Sequence, residues 1–261
     1  MALQEVASAR PCSPPVPWPP RAPRALQGPP CPLPHGTTTL AFRFHHGVVA
    51  AADSRASCGG YVASPNARKL HPVATHLVAT ASGTSADIGA WLRGLSCQLA
   101  LRRHSDGREP RVAEAAAILA GTLWRRRGEG LSLGAALCGW DRGGPALWYV
   151  ADDGTRLAMA AVAVGSGSPY AYGVLDGAYR EDLALGPAVA LARRAVAQAA
   201  RRDAYSGGTV DVVHVGPCGW RWVVHADLAH LAWGPGMPED QEEEEEEGTG
   251  DQSSGTGTSG M

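Results

Sequence analysis

The stretch HGTTTLAFRF (residues 35–44) lies where a proline-rich segment gives way to a pattern typical of a β-strand. Its three threonines have the β-branched side chains that strands favour. Gly36 presents an unhindered carbonyl, so cleavage of the Gly36–Thr37 bond would leave Thr37 with a free α-amine beside its hydroxyl. Such an amine can act as the base that makes the hydroxyl a nucleophile.

On the threonines alone, an ordinary edge strand is the simpler interpretation, but two charged residues favour catalysis. Lys69 is the only lysine in a chain with 23 lysine and arginine residues, and arginine cannot replace its tunable amine. A cation near Thr37 would lower the pKa of the hydroxyl and keep the amine neutral. Asp53 ends the strand-like run 47–54, which is predicted to pair with the Thr37 strand, and would fix the lysine and offset its burial cost.

The composition is that of a soluble globular chain, with 44% hydrophobic and 18% charged residues. The formal charge is −2, but residues 234–261 hold nine acids and no base, whereas residues 37–233 hold 20 bases and 15 acids. This mild and scattered basic excess argues against nucleic-acid binding. We find neither an apolar run near the ~18 residues of a membrane span nor a signal peptide, so we expect an intracellular protein that does not bind membranes.

We expect three parts in the 261 residues. Residues 1–36 form a proline-rich leader removed on maturation, residues 37–233 form the folded domain, and residues 234–261 form a disordered acidic and Gly/Ser/Thr-rich tail. The six cysteines include no CxxC pair and no histidine at zinc spacing. Reduced thiols are therefore expected, in preference to a disulfide or metal role, and we expect no metal or cofactor.

Hydrophobic periodicity predicts strands, two helices, strands, one helix and strands, in that order. The predicted strands are 37–44, 47–54, 61–63, 76–80, 131–139, 146–150, 159–164, 209–215 and 220–225, and the predicted helices begin near Ser82 and span about 111–127 and 187–202. Runs of hairpin-linked strands favour antiparallel sheets. Two packed sheets with helices outside would bury every apolar face, so we predict an α+β fold, a four-layer αββα sandwich.

The segment Ser82-Gly83-Thr84 lies between a predicted strand and a predicted helix. Its hydroxyls are suited to helix N-capping. Backbone N–H groups at a helix N-terminus can also stabilise an oxyanion. By itself, however, a glycine at this place is only a capping residue.

Taken together, several segments resemble a β subunit of the eukaryotic proteasome core particle. They are HGTTTLAF (35–42), GVVAAADSR (47–55), LCGWD (137–141), VGSGS (164–168), AYGVLD (171–176) and RDAYSGG (202–208). The resemblance implies the N-terminal-nucleophile hydrolase type of the αββα fold and a threonine-type endopeptidase. It also implies partners, namely other α and β subunits in stacked seven-membered rings and unfolded polypeptide substrates, and a location in the cytoplasm and nucleus.

Within that family, the segments are similar to the subunit at the chymotrypsin-like position. SCGGYVA (57–63), SGTSAD (82–87) and an extended chain resemble its thymus-specific version. That version would supply peptides for the positive selection of cytotoxic T cells.

The resemblance also implies roles for individual residues. Thr37 would be the nucleophile, with Asp53 and Lys69 as charged partners, and Gly83 would provide the oxyanion N–H. Three further residues would support the Thr37 amine and transfer protons: Ser166, Asp203 and Ser206. The pocket for the residue before the scissile bond would be lined by Ala56, Ala67, His71, Ala81 and Ser85. Strongly chymotrypsin-like members have larger apolar groups there, including a methionine at the place of Ala81, so we expect weak preference for large hydrophobic side chains.

Three alternatives remain at this point. The chain could be an inactive ring subunit, although intact Thr37, Asp53 and Lys69 argue against that. It could be a metabolic amidohydrolase with the same nucleophile chemistry, which would act as an isolated chain on a small molecule. It could also be the constitutive chymotrypsin-like subunit, which Ala81 and Ser85 disfavour.

Overall fold

The computed structural model describes residues 36–228. Gly36 and Thr37 are therefore included, whereas the rest of the predicted leader and the predicted tail at 234–261 lie outside the described residues. No helix in the described range is both long and apolar enough to cross a membrane.

The described chain alternates between groups of strands and pairs of helices. In order, the elements are β1 (Thr39–Phe44), β2 (Gly47–Asp53), β3 (Ala56–Cys58), β4 (Tyr61–Ser64), β5 (Leu70–Ala74), β6 (Leu77–Gly83), α1 (Ser85–Asp106), α2 (Val112–Arg125), β7 (Leu133–Asp141), β8 (Gly144–Val150), β9 (Arg156–Ala158), β10 (Ala161–Val164), α3 (Ser168–Ala178), α4 (Leu185–Arg202), β11 (Thr209–Gly216) and β12 (Gly219–Asp227).

Two antiparallel five-stranded sheets form the centre of the domain. The first has the strand order β10-β1-β2-β11-β12, and the second has the order β5-β6-β7-β8-β9. The strands β3 and β4 form a separate hairpin. Most neighbouring strands within each sheet are joined by short turns, as expected for hairpin connections.

Three apolar clusters show that the domain has four layers. One cluster joins α1 and α2 to the second sheet, another joins α3 and α4 to the first sheet, and the third lies between the two sheets. The predicted four-layer αββα sandwich is thus confirmed.

The sequence of β2 fits its position as the middle strand of the first sheet. All seven residues of Gly47–Asp53 are buried. Val49 and Ala51 face the α3–α4 layer, whereas Val48, Ala50 and Ala52 face the second sheet. Because side chains alternate between the faces of a strand, a strand covered on both faces needs an almost continuous apolar run.

The register brings several chain segments to one end of the first sheet. Thr39 at the start of β1 pairs with Ala52 near the end of β2 and with Val164 at the end of β10. Asp53 pairs with Val210 at the start of β11. The beginning of β1 therefore lies beside the ends of β2 and β10 and the start of β11.

The sequence-based element order was wrong in one helix and incomplete in several strands. α3 was not predicted, so the second helical layer has two helices where one was expected. Only Ala171 and Leu175 of α3 are buried, and its glycines weaken the helical pattern. The short strands β3, β5 and β9 were also missed, and β5 contains Pro72, which lowers its strand signal.

Candidate active site

Thr37 lies just before β1, with 9% of its surface exposed. Its backbone N–H donates to Ser166 Oγ at 3.2 Å, and its side-chain hydroxyl donates to the Gly36 carbonyl oxygen at 2.6 Å. The Thr37 carbonyl accepts a hydrogen bond from the N–H of Gly167 at 3.3 Å. These contacts hold Thr37 against the loop between β10 and α3, and they place its hydroxyl beside the peptide group that precedes it.

Lys69 and Asp53 form a buried ion pair next to this segment. Asp53, at the end of β2, is 1% exposed, and Lys69, just before β5, is 7% exposed. Lys69 Nζ donates to Asp53 Oδ1 at 2.5 Å and to the carbonyl of Arg55 at 2.6 Å. An ammonium group has three donors, and these contacts use two of them.

Backbone donors complete the environment of Asp53. Its Oδ1 accepts from the N–H of Thr38 at 2.9 Å, and its Oδ2 accepts from the N–H of Gly207 at 2.9 Å. Burial raises the pKa of Asp53, while the charge and hydrogen bond of Lys69 and these N–H groups oppose the rise. A buried carboxylate with this many donors is fixed in position.

Burial also lowers the pKa of Lys69, and the charge and hydrogen bond of Asp53 oppose this effect. The physical cause is that a low-dielectric interior disfavours the ammonium form. The amine of Lys69 is therefore easier to deprotonate than that of an ordinary surface lysine. Arginine would not share this property, because its guanidinium stays charged.

A second polar group surrounds Asp203, the residue that follows α4. Both Ser166 Oγ and Ser206 Oγ donate to Asp203 Oδ2, at 2.5 Å and 2.6 Å. The N–H of Tyr205 donates to the other carboxylate oxygen at 3.1 Å. Since Ser166 also accepts from Thr37, the carboxylate is connected to the Thr37 nitrogen through one hydroxyl.

Thr38 connects the two polar groups, and sequence reasoning missed it. Its N–H donates to Asp53, and its hydroxyl lies 2.7 Å from Ser206 Oγ. Six of the residues predicted to be catalytic thus belong to one hydrogen-bond network: Thr37, Asp53, Lys69, Ser166, Asp203 and Ser206. The backbone groups of Arg55 and Gly207 were missed as well, because main-chain contacts leave no side-chain signal in a sequence.

Gly83 ends β6 and lies outside this network. Its φ is +134°, and a Cβ at this position would overlap the carbonyl oxygen of Ser132, so both conformation and space require glycine. The N–H of Ala81, two residues earlier, donates to the Lys69 carbonyl. Because N–H groups alternate in direction along a strand, we expect the N–H of Gly83 to point to the Lys69 side.

The prediction that side-chain hydroxyls near Gly83 cap the following helix was wrong. Thr84 is the N-cap residue of α1, but its side chain makes no capping hydrogen bond. Instead, the Thr84 N–H donates to the Ser132 carbonyl at 3.1 Å. The segment is therefore held by the neighbouring strand, and not by the hydroxyls that suggested a cap.

The five predicted pocket residues lie close in sequence to this site. Ala56 follows Arg55, Ala67 and His71 flank Lys69 at a distance of two residues, and Ala81 and Ser85 flank Gly83 in the same way. Their exposure differs: Ala81 is 2% exposed within the α1-facing cluster, Ser85 is exposed, and the others are half-buried. Burial lowers the pKa of His71, which favours its neutral imidazole.

Residues 36–228 contain no group of three or more His, Cys, Asp or Glu side chains that could hold a metal ion. The four cysteines in this range, Cys58, Cys97, Cys138 and Cys218, are free thiols. The predicted site residues supply a hydroxyl, a buried ammonium and a hydroxyl–carboxylate network. That combination suits nucleophilic attack by Thr37 with nearby proton transfer.

Comparison with known proteins identifies a single family. The family model described as "Proteasome subunit" matches residues 33–215. The chain is 47% identical over 253 residues to proteasome subunit beta type-5 of Gallus gallus, covering 90% of this chain and 99% of that protein. It is 45% identical over 197 residues to proteasome subunit beta type-8 of Rattus norvegicus, covering 76% and 71%. Proteasome subunit beta type-5 of Spinacia oleracea is 46% identical over 209 residues, covering 79% and 77%.

Proposed function

Because the chain belongs to the proteasome subunit family, we propose that it is a catalytic β subunit with N-terminal threonine endopeptidase activity. Thr37 is the nucleophile after the Gly36–Thr37 bond has been cut. The subunit works beside other α and β subunits in stacked seven-membered rings, in the cytoplasm and nucleus. Its substrates are unfolded polypeptides.

Maturation is the first chemical step of this proposal. Thr37 Oγ1 attacks the carbonyl carbon of Gly36, the Gly36–Thr37 C–N bond breaks, and the hydroxyl proton passes to the Thr37 nitrogen. The leader is then held as an ester on Thr37. Water hydrolyses that ester, which releases the leader with a carboxyl end and restores the hydroxyl beside a new α-amine.

Peptide hydrolysis uses the same oxygen. The Thr37 amine takes the hydroxyl proton, Oγ1 attacks the substrate carbonyl, and the Gly83 N–H stabilises the oxyanion. The ammonium returns the proton to the leaving nitrogen as the C–N bond breaks. Water then attacks the acyl ester, with the amine again accepting a proton, and the second product leaves as a carboxylic acid.

The observation that supports the proposal most directly is the arrangement at Thr37. Its hydroxyl lies 2.6 Å from the Gly36 carbonyl oxygen. Its backbone N–H donates a hydrogen bond to Ser166 Oγ, and the Ser166 hydroxyl donates one to Asp203. Once the bond to Gly36 is cut, that nitrogen would be an amine whose ammonium form is stabilised by a nearby carboxylate.

N-terminal sequencing of the mature subunit from purified particles tests the proposal. We expect the sequence to begin Thr37-Thr38-Thr39, because an internal threonine has an amide nitrogen that cannot act as a base. A particle that hydrolyses peptides at this subunit while residues 1–36 remain attached would contradict the mechanism. An uncut chain in an inactive subunit would instead support a purely structural role in the ring.

We further propose that the subunit is the thymus-specific form, with weak chymotrypsin-like activity that generates peptides for positive selection of cytotoxic T cells. The support is the sequence of the predicted pocket, in which Ala56, Ala67 and Ala81 are small, Ser85 is polar and His71 favours its neutral form. Identities of 47% and 45% to type-5 and type-8 relatives do not discriminate between these types.

Enlarging Ala81 tests the pocket. Ala81→Met adds apolar surface near the predicted site, and about 1 kcal/mol of extra burial would raise kcat/KM roughly five-fold for peptides with Phe, Tyr or Leu before the scissile bond. The measured quantity is the ratio of kcat/KM for such a peptide to that for the matched alanine peptide. Because both peptides are tested on one variant, a general loss of activity cancels. An unchanged or lower ratio would show that Ala81 does not line the pocket.

A further inference from the structure

The hydroxyl of Thr38 lies at the centre of the active-site network. Thr38 is fully buried, and its Oγ1 is 2.7 Å from Ser206 Oγ. Its backbone N–H donates to Asp53, the partner of Lys69. The residue next to the nucleophile therefore contacts the Lys69–Asp53 ion pair through its main chain and the hydroxyls around Asp203 through its side chain.

The direction of the Thr38–Ser206 hydrogen bond follows from the other contacts of Ser206. A serine hydroxyl has one proton, and Ser206 donates it to Asp203 Oδ2 at 2.6 Å. Ser206 must therefore accept from Thr38. The result is a directed chain in which Thr38 donates to Ser206 and Ser206 donates to the carboxylate that Ser166 also contacts.

Close packing holds the Thr38 side chain in this orientation. A Cβ added to Gly167, the residue before α3, would overlap Thr38 Oγ1 and would lie 3.2 Å from Thr38 Cβ. The glycine backbone therefore leaves just enough room for the hydroxyl between the start of α3 and Ser206. In such a space the side chain has little freedom to rotate away.

We propose that Thr38 is a positioning residue for the reaction, acting through Ser206 and Asp203. By donating to Ser206, it keeps the Ser206 hydroxyl directed at the Asp203 carboxylate. It also strengthens the Ser206–Asp203 hydrogen bond, because hydrogen bonds in a chain polarise one another. Asp203 is then held at Ser166 and, through it, at the Thr37 nitrogen. This inference rests on the proposed function, and it adds a role for the second residue of the mature chain.

Loss of the Thr38 hydroxyl should leave the fold intact but remove one hydrogen bond from the active-site network. Thr38→Val has nearly the same shape, so packing against Gly167 is retained. Ser206 would lose its only donor among the described contacts and could turn its proton away from Asp203. We expect kcat to fall about ten-fold, the size of one buried hydrogen bond, with KM changed less than two-fold because substrate binding is not affected.

The experiment compares three variants in assembled particles. Thr38→Val removes the donor, Thr38→Ser keeps it, and Thr39→Val is the matched control. Thr39 is equally buried and β-branched, but its hydroxyl contacts only the Val164 carbonyl, at 3.5 Å. For each variant we would measure incorporation into particles, the N-terminal residue, kcat and KM with a fluorogenic peptide, using Thr37→Ala particles as the background.

We expect Thr38→Ser and Thr39→Val to stay within about two-fold of the unmodified subunit in kcat, and Thr38→Val alone to fall about ten-fold. Equal kcat for Thr38→Val and the unmodified subunit would overturn the positioning role while leaving the proposed function standing. Equal loss in Thr38→Val and Thr39→Val would also overturn it, because the effect would then be packing. If the unmodified particles do not exceed the Thr37→Ala background, the proposed function itself fails.

Discussion

Thr37→Ala is expected to abolish both leader removal and peptide hydrolysis at this subunit. The variant lacks the oxygen that attacks the carbonyl in each step, and no neighbouring hydroxyl can replace it. Ser166 Oγ accepts from the Thr37 N–H and Ser206 Oγ accepts from the Thr38 hydroxyl, so both oxygens are engaged elsewhere in the network. Loss of a catalytic nucleophile lowers kcat by a factor on the order of 10⁴ or more.

The measurement is the mass of the subunit in purified particles, before and after treatment with an electrophilic peptide. The unmodified subunit should lose residues 1–36 and gain the mass of one adduct on Thr37, whereas the alanine variant should do neither. Thr37→Ser, which keeps the hydroxyl, is the matched control and should retain processing and adduct formation. Normal turnover by Thr37→Ala would place the nucleophile elsewhere, and processing without turnover would indicate that a neighbouring subunit makes the cut.

Lys69→Arg is expected to reduce kcat/KM about 100-fold although the charge is kept. Lys69 occupies a closed space in which its amine contacts Asp53 and the Arg55 carbonyl. The planar guanidinium is larger and cannot reproduce the geometry of these two contacts. A misplaced catalytic group commonly costs about two orders of magnitude.

Arg68→Lys is the matched control for this substitution. Arg68 is the exposed neighbour of Lys69, and the reverse exchange there should leave kcat/KM within about two-fold, as for most surface substitutions. Near-normal kcat/KM in Lys69→Arg would contradict the proposed tuning role of the lysine. Particle incorporation must be measured for both variants, because a buried carboxylate without its partner is destabilising.

The pH dependence of the same variants gives a second test. Burial lowers the pKa of Lys69 below its ordinary 10.5, so the ammonium is lost as the pH rises through that lowered value. If the charged form is needed, kcat/KM should fall on the basic side at a pH below the ordinary lysine range. In Lys69→Arg the residual activity should not show this fall, because the guanidinium remains protonated. If kcat/KM falls at the same basic pH in the unmodified subunit and in Lys69→Arg, the group that titrates is not Lys69.

Local patterns were sufficient for much of the fold. The apolar runs of β2 and β11 predicted strands, and the periodic residues of α1, α2 and α4 predicted helices within a few residues of their bounds. α3 was missed because its burial is confined to Ala171 and Leu175, and its helix is stabilised by packing on α4 and the first sheet. Tertiary contacts decide such elements more than intrinsic propensity does.

Only some of the site residues could be predicted from their own chemistry in the sequence. Thr37, Asp53 and Lys69 stand out by chemistry, since a threonine freed at its amino end can supply both nucleophile and base, and Lys69 is the only lysine of this sequence. Ser166, Asp203 and Ser206 came from the family resemblance. Thr38 was overlooked because a threonine in a strand needs no explanation beyond β-propensity.

The amino-acid sequence by itself determined which groups are available: a threonine that cleavage after Gly36 would free, one lysine, and apolar runs long enough to build two sheets and their helices. Only the tertiary structure decided how they meet. Pairing of β1 with β10 brings Thr37 to Ser166, 129 residues away, and pairing of β2 with both β1 and β11 brings Thr38 to Ser206, 168 residues away. The physical reason is that hydrogen bonds and ion pairs depend on distances of about 3 Å, and strand register fixes those distances where sequence separation does not.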